Sequence, residues 1–352
     1  MENVGIGIAG IGFMGMIHYL AARKVADAKV VALCSRDPKK LAGDWTGIRG
    51  NFGPRGTQMD LSGQAKYEDY DALLADPNVQ LVDLCVPNDR HAEMAVRALR
   101  AGKHVLVEKP IALTVADADS MLAAARDSGR LLMVAQVLPF FPEFAFALEA
   151  AGSGRYGSLR AAHLLRVISR PDWSAGISEV ERSGGPAIDL HIHDTHFLGL
   201  LCGVPTAVHS RGVVEGEAVV HLTTQYLYDD RPHDLAVSAV SGALSQKGRE
   251  FAHGFDLYFE RATLSFEFAS LAGHGHLAVP LSVILPDGSV QHPELGSGDP
   301  IDAFAAELSA AIEGVRTATA PPRLAGELAR QALAICQAEV ASVRERKPVP
   351  IV

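Results

Sequence analysis

The sequence predicts an α/β protein in which an N-terminal doubly wound parallel (Rossmann) sheet precedes a C-terminal α+β domain with a large mixed, mostly antiparallel sheet. Three observations carry that expectation. From residue 4 to residue 137, apolar runs of strand length alternate with helical sequence. A glycine-rich turn, Gly10-Ile11-Gly12-Phe13-Met14-Gly15, joins the first strand to the first helix. Beyond Pro139, long β-rich runs follow one another with few helical stretches between them. A length of 352 residues suits two domains. Their expected bounds are 1–138 and 139–352, with the C-terminal helices able to pack back on the first.

Val4–Ala9 reads as a buried strand, and 13–24 as the helix that follows. The strand–turn–helix context is what a phosphate-binding turn needs. Glycines allow a tight turn and close approach to a pyrophosphate, and backbone N–H groups at the helix start receive its charge. The backbone of Gly10, Gly12, Phe13, Met14 and Gly15 is therefore expected to hold a dinucleotide. The second strand, 29–34, ends at Ser35-Arg36-Asp37-Pro38. An acidic residue about 20 positions past the glycines would favour NAD. Ser35 and Arg36 stand there instead, and a hydroxyl with a guanidinium suits a 2′-phosphate, so NADP(H) is favoured over NAD(H). Asp37 is close enough to serve as the acidic residue, but it better fits as the cap of the short helix that Pro38 starts.

Residues 43–63 are rich in Gly, Asn, Pro and Asp and read as a long loop. The strand at 81–86 leads into Pro87-Asn88-Asp89-Arg90-His91 and a helix that Gly102 ends. The strand at 104–107 delivers Glu108-Lys109-Pro110, a helix covers 117–128, and a last strand covers 131–137. The glycine turn, Ser35, Pro87-Asn88 and Glu108-Lys109 all fall at strand ends, where doubly wound sheets bind their ligands. That position gives Lys109 a role at the site rather than on the surface.

In the second half, β-rich runs occupy 159–169, 218–228, 235–243 and 256–268. Asp299-Pro300 opens a helix with Phe304, Leu308, Ile312 and Val315 on one face. Pro321-Pro322 precedes a final helix carrying Leu328, Ala332, Ile335 and Val343. The stretch 184–196 gathers Asp189, His191, His193, Asp194 and His196. A metal site, an acid–base site and a polar helix start all fit such a cluster. A helix beginning near Asp189 would put Asp189 and His193 one turn apart on one face, with His191 pointing elsewhere.

Composition excludes other classes. A net charge of −9 argues against a nucleic-acid surface. Cys34, Cys85, Cys202 and Cys336 are widely spaced in apolar runs, which suits buried thiols rather than a disulfide framework or a thiolate zinc site. Met1-Glu2-Asn3 lacks a basic stretch, and glycines break the apolar run after it. Neither a signal peptide nor a membrane helix is expected, and a cytoplasmic location follows.

Taken together, Gly10-x-Gly12-x-x-Gly15, Pro87-Asn88-x-x-His91, the 101–110 stretch ending in Glu108-Lys109-Pro110, and Gly184-Gly185 leading to Asp189-x-x-x-His193 resemble the Gfo/Idh/MocA oxidoreductase family. The resemblance covers nearly the whole chain. It implies hydride transfer between a nicotinamide and a hydroxyl- or carbonyl-bearing carbon of a sugar, cyclitol or related polyhydroxy compound, with no metal. It places Lys109, Asp189 and His193 at the catalytic positions, and Gly10, Gly12, Phe13, Met14, Gly15, Ser35, Arg36, Pro87, Asn88, His91, Glu108 and Lys109 around the cofactor. His193 would exchange the substrate proton, Lys109 would hold the same oxygen, and Asp189 would orient the imidazole or the substrate.

The resemblance also implies a homodimer or homotetramer formed through the C-terminal sheet, and a cis Lys109–Pro110 bond. The chain departs from the family's pattern on the expected substrate side. His191 stands where Gly is usual, and His196 where a second Asp is common. Val137 and Pro139 replace polar residues, and the 43–63 segment is longer. His191, His196 and Trp173 are therefore candidates for contacting or shaping the substrate site. Two alternatives remain open: a glycoside-cleaving enzyme that recycles a bound cofactor, and a non-catalytic dinucleotide-binding regulator.

Overall fold

The computed structural model describes residues 3–50, 53–170, 180–229, 234–296 and 298–352. The chain forms two compact units, residues 1–140 with 297–330, and residues 141–296 with 331–352. Trp173 lies outside the described residues. Among the described residues, no helix is long and apolar enough to cross a membrane.

In the first unit, β1 (Val4–Ala9), β2 (Ala28–Cys34), β3 (Ala65–Tyr67), β4 (Leu81–Leu84), β5 (His104–Glu108) and β6 (Leu132–Ala135) form a parallel sheet in the order β3-β2-β1-β4-β5-β6. The helices between them are α1 (Phe13–Ala22), α2 (Pro38–Leu41), α3 (Tyr70–Ala75), α4 (His91–Arg100) and α5 (Val115–Ser128). Strands β1, β4 and β6 are buried along their whole length. Helices cover both faces of such a sheet, which is why these strands read as apolar runs, interrupted in β4 by Asp83. Neither β3 nor α3 was expected, because three- and six-residue elements are too short to establish a period.

A later helix, α10 (Pro300–Thr317), completes this unit. Asp299 caps it by accepting the Ile301 N–H, Pro300 sits in its first turn, and Phe304, Leu308 and Ile312 enter the same core as β1 and α1. Among the described residues of the 43–63 segment, the one β-pairing is an isolated bridge between Asp44 and Gln58. The segment is held by Trp45, which is fully buried with its ring edge-on to Tyr19 at 5.1 Å and its indole N–H donated to the Lys40 carbonyl.

The second unit is built on a nine-stranded sheet. Its strands are β7 (Leu159–Ser169), β8 (Ala207–Glu215), β9 (Ala218–Leu227), β10 (Ala236–Leu244), β11 (Arg249–Phe259), β12 (Thr263–Leu271), β13 (His274–Ile284), β14 (Val290–Gln291) and β15 (Val349–Pro350). Their order is β14-β13-β12-β11-β7-β10-β9-β8-β15, with β7 and β10 parallel and every other pair antiparallel. The run 256–268, expected as one strand, is a hairpin. Glu260 and Arg261 turn the chain, donating their N–H groups to the carbonyls of Ser158 and Tyr156. Strands β8 and β13 escaped notice because about half of each is exposed on both faces, which leaves no alternation to read.

Helices α6 (Pro142–Ser153), α7 (Val180–Ser183), α8 (Pro186–Asp189), α9 (Ile192–Cys202) and the last part of α11 (Gly326–Glu345) belong to this unit. Phe144 of α6 packs edge-on against Phe197 of α9 at 5.0 Å and Phe255 of β11 at 5.2 Å. That cluster fixes α9 on the sheet, and α9 carries much of the histidine-rich stretch.

Candidate active site

The glycine turn sits at the carboxyl end of β1, where the strand order reverses toward β4. Its three glycines do different things. Gly10 has φ +99°, and a Cβ there would lie 2.3 Å from the Cys85 carbonyl oxygen. A Cβ on Gly15 would lie 2.0 Å from the Gly10 carbonyl oxygen, so close helix–strand packing excludes a side chain. A Cβ on Gly12 would meet nothing within 4 Å. The first and third glycines thus build the turn, while the second leaves open space over the start of α1. That helix has no side-chain cap and no acidic residue in its first turn. An uncapped, acid-free helix start beside open space fits a dinucleotide's pyrophosphate. Gly50 abuts the Phe13 ring, so the 43–63 segment lies against the first residue of α1.

At the end of β2, Arg36 is exposed and Ser35 half-buried. The Ser35 hydroxyl accepts the Asp37 N–H, and Asp37 caps α2 by accepting the Lys39 N–H. At the end of β4, Pro87 is exposed, Asn88 half-buried and His91 fully buried. The His91 ring nitrogens face two carbonyls, Pro110 at 2.8 Å and Val86 at 3.0 Å, and this ties the loop after β4 to the bend after β5. Burial pushes the His91 pKa down, so the ring is neutral near pH 7 and donates to one carbonyl at a time. The Lys109–Pro110 bond is cis. Glu108 is buried and accepts the backbone N–H of half-buried Lys109 at 3.0 Å.

The 184–196 stretch forms two short helices rather than one. Gly184 and Gly185 adopt φ +83° and +75°. α8 ends at Asp189, where the Pro186 carbonyl accepts from both Leu190 and His191, and this wider turn interrupts the helix. Leu190 and His191 keep helical angles, and α9 begins at Ile192. Asp189 and His193 are half-buried, whereas His191, Asp194 and His196 are buried. His191 Nε2 lies 3.0 Å from Tyr226 Oη and 3.2 Å from Glu339 Oε1, while Nδ1 lies 3.5 Å from Asp194. Asp194 accepts from Arg166 Nε at 2.9 Å. Burial would lower the His191 pKa, but the charges and hydrogen bonds of Glu339 and Asp194 outweigh it and hold the ring at about 10. Asp194 is held below the usual carboxylate range. Burial pushes it up, and the Arg166 and His191 cations overcome that. His196 has no such partner, and burial alone drives it down to about 3, so it is neutral. Both His191 and His196 are thus enclosed by protein and present no surface to a ligand in this structure.

Residues 4–136 match the model described as the oxidoreductase family with an NAD-binding Rossmann fold. The chain is 26% identical to the inositol 2-dehydrogenase of Rhizobium meliloti (strain 1021) over 353 residues, covering 99% of each protein. The N-terminal part of the chain, residues 4–136, thus matches the NAD-binding domain of the Gfo/Idh/MocA oxidoreductase family. Solved structures share the fold over nearly the full length. The aldose–aldose oxidoreductase of Caulobacter crescentus, complexed with glycerol, superposes with a TM-score of 0.80 at 23% identity, covering 99% of this chain and 100% of that one. A levoglucosan dehydrogenase in complex with NADH and levoglucosan gives 0.79 at 19% identity, covering 99% and 100%.

The Rossmann unit also encloses a network that sequence reasoning missed. His18 of α1 is fully buried, with Nδ1 3.0 and 2.9 Å from the two Asp83 oxygens and Nε2 3.1 Å from Glu108. Glu307 of α10, also fully buried, lies 4.0 Å from Nε2. Burial opposes protonation of His18, but Asp83 above all raises its pKa well above the ordinary value. Burial pushes the Glu307 carboxyl well up, His18 opposes that, and Glu108 and Asp83 add to it. Among the described residues, His18, Asp83 and Cys85 form the one set of donor atoms close enough to share a metal ion. Asp83 straddling Nδ1 with both oxygens is the geometry of a shared proton, and burial raises the Cys85 pKa, which keeps it a thiol. The signals that would have found these residues are an aspartate inside an apolar strand and lone glutamates, Glu307 and Glu339, on the buried stripes of helices.

Proposed function

We propose that the protein is an NAD(P)-dependent dehydrogenase or reductase that moves a hydride between the nicotinamide and a hydroxyl- or carbonyl-bearing carbon of a sugar, cyclitol or related polyhydroxy compound. The observation that carries this reading is the open, uncapped glycine turn at the switch point, in the same unit as Glu108-Lys109-Pro110 at the end of β5. The names of relatives that act on inositol and levoglucosan support the substrate class. The bound cofactor supplies the hydride acceptor or donor. His193 takes or returns the proton of the substrate hydroxyl, Lys109 donates a hydrogen bond to that oxygen and stabilises its developing charge, and Asp189 orients the imidazole or the substrate. Phe13, Met14, Pro87, Asn88, His91 and Glu108 complete the cofactor's surroundings.

NADP(H) is the preferred cofactor in this proposal. Arg36 is exposed at the end of β2, and Asp37, the nearest acid, is engaged in capping α2. No metal takes part. The protein works in the cytoplasm as a homodimer or homotetramer assembled through the C-terminal sheet, whose residues Val213 and Leu277 are exposed by 53% and 56%.

The test is a screen of polyols, aldoses and glycosides for nicotinamide reduction with NADP⁺ and NAD⁺ in parallel. Lys109→Ala and His193→Ala are each expected to lower kcat by on the order of 10²–10⁴-fold. Arg36→Ala is expected to erode the preference for NADP⁺. A preference for NAD⁺ in the wild type would overturn the reading of Ser35 and Arg36. Turnover of a glycoside with the cofactor unchanged would point to recycled-hydride chemistry, and full activity in Lys109→Ala would remove the catalytic assignment.

A further inference from the structure

We propose that His191 is a positioning residue for His193, part of a buried ionic clamp that joins the start of α9 to β9, β7 and α11. The proposal rests on the reading of His193 as the proton-transferring residue. Its geometry lies entirely within the second unit.

His193 sits between two anchored residues. On one side, the His191 side chain is fully buried, with Nε2 3.0 Å from Tyr226 Oη on β9 and 3.2 Å from Glu339 Oε1 on α11. On the other, Asp194 is bound to Arg166 of β7 at 2.9 Å. The His191 carbonyl accepts the N–H groups of Asp194 and Thr195 at 3.0 and 3.2 Å, so the residue that anchors the chain also starts α9. His191 Nδ1 faces Asp194 at 3.5 Å and closes the ring of contacts. The backbone of His193 is therefore fixed to two sheet strands and one helix through its neighbours. His191 and Asp194 are buried, and His193 between them is half-buried.

A glycine at position 191 would supply none of these contacts. It would also leave Glu339 as a buried carboxylate without a cation, because among the described residues His191 is its ion-pair partner. Glu339 and His191 thus form a matched pair, and their purpose is placement, since neither reaches the surface. The titratable and charged groups facing His191 are Glu339 and Tyr226, with Asp194 and, behind it, Arg166. A proton-transferring side chain displaced by about 1 Å loses on the order of 10²-fold in rate. A rigid backbone on both sides of His193 prevents that displacement.

The test uses the full-length protein in two readouts. In ¹⁵N-histidine-labelled protein, the ring resonances of His193 should shift or broaden in His191→Gln and, less strongly, in Tyr226→Phe, which keeps the imidazole and removes one partner. In steady-state kinetics on whichever of myo-inositol, D-glucose or levoglucosan the wild type oxidises, His191→Gln should lower kcat by on the order of 10²-fold with little change in KM for either substrate. A loss confined to thermal stability, with His193 resonances and kcat unchanged in both variants, would overturn the proposal. If His193→Ala keeps wild-type activity, the assignment of His193 fails. If His193→Ala is inactive while His191→Gln is not impaired and its His193 resonances are unmoved, only the positioning role fails.

Discussion

In the Rossmann unit His18 faces Asp83, Glu108 and Glu307, whereas in the sheet unit His191 faces Glu339 and Asp194, and Asp194 also holds Arg166. The second set is balanced: two cations meet two carboxylates, with His191 raised and Asp194 lowered. The first carries one cation against three carboxyl groups, and the fully buried Glu307 carboxyl is pushed well above its ordinary range, by burial first. His196 is buried as deeply, has no carboxylate in hydrogen-bond contact, and is driven to about 3 by burial, whereas His253, slightly less buried, reaches about 3 through burial and the nearby Arg166 cation. Burial alone therefore neutralises a histidine. The charge state of each one follows from which carboxylates distant parts of the chain deliver to it.

Breaking the balanced set should have the largest effect. Glu339→Leu leaves the His191 cation with Asp194 alone and should cost about 3–5 kcal/mol, because an uncompensated buried charge is worse than no charge. Replacing both residues, His191→Leu with Glu339→Leu, removes the pair together and should be less destabilising than Glu339→Leu by itself. Chemical denaturation of the two single variants and the double variant reads the coupling directly. Losses that simply add would show that the two side chains do not share a charge interaction.

A smaller effect separates the two regions by pH. The folded pKa of His191, about 10, exceeds its ordinary value of 6.5. The stability this group contributes is therefore fully present below about 6.5 and is lost progressively as pH rises toward 10. The gap in Tm between wild type and His191→Gln should shrink across that window. A gap that stays constant from pH 6 to pH 10 would mean the ring is not an imidazolium.

These networks mark the boundary of what the sequence discloses. The Rossmann sheet was legible because its buried parallel strands are largely apolar runs and the turn after β1 is a local pattern of glycines. Lys109, Asp189 and His193 were picked out as short motifs, and they stand at element ends: after β5, at the end of α8 and in the first turn of α9. The partners of His191 were not. Glu339 lies 148 positions away, and the bond that joins them depends on where α11 comes to rest. His18 was hidden in the same way, since Asp83 is 65 positions distant. Short elements were missed on a different ground. Asp189 and His193 were expected on one helix, and two hydrogen bonds to the Pro186 carbonyl were enough to divide it.

The smallest expected effect tests the unbalanced set. Glu307 has a folded pKa raised well above its ordinary value, mainly by burial. In the unfolded chain the carboxyl loses its proton near pH ~4.3, while in the folded protein it must keep the proton or ionise beside Glu108 and Asp83. Its contribution to stability is therefore present at acid pH and is lost as pH climbs toward the folded value. Glu307→Gln removes that dependence while keeping the shape of the protonated acid. The variant should gain on wild type as pH rises, by a few °C in Tm, on the order of what 1 kcal/mol gives a protein of this size. Calorimetry at pH 5 and pH 8 separates the outcomes. A Tm difference that grows toward pH 8 supports a surplus of negative charge around His18. The same difference at both values would mean that Glu307 ionises in the fold as it does in water, and that the two networks are balanced alike.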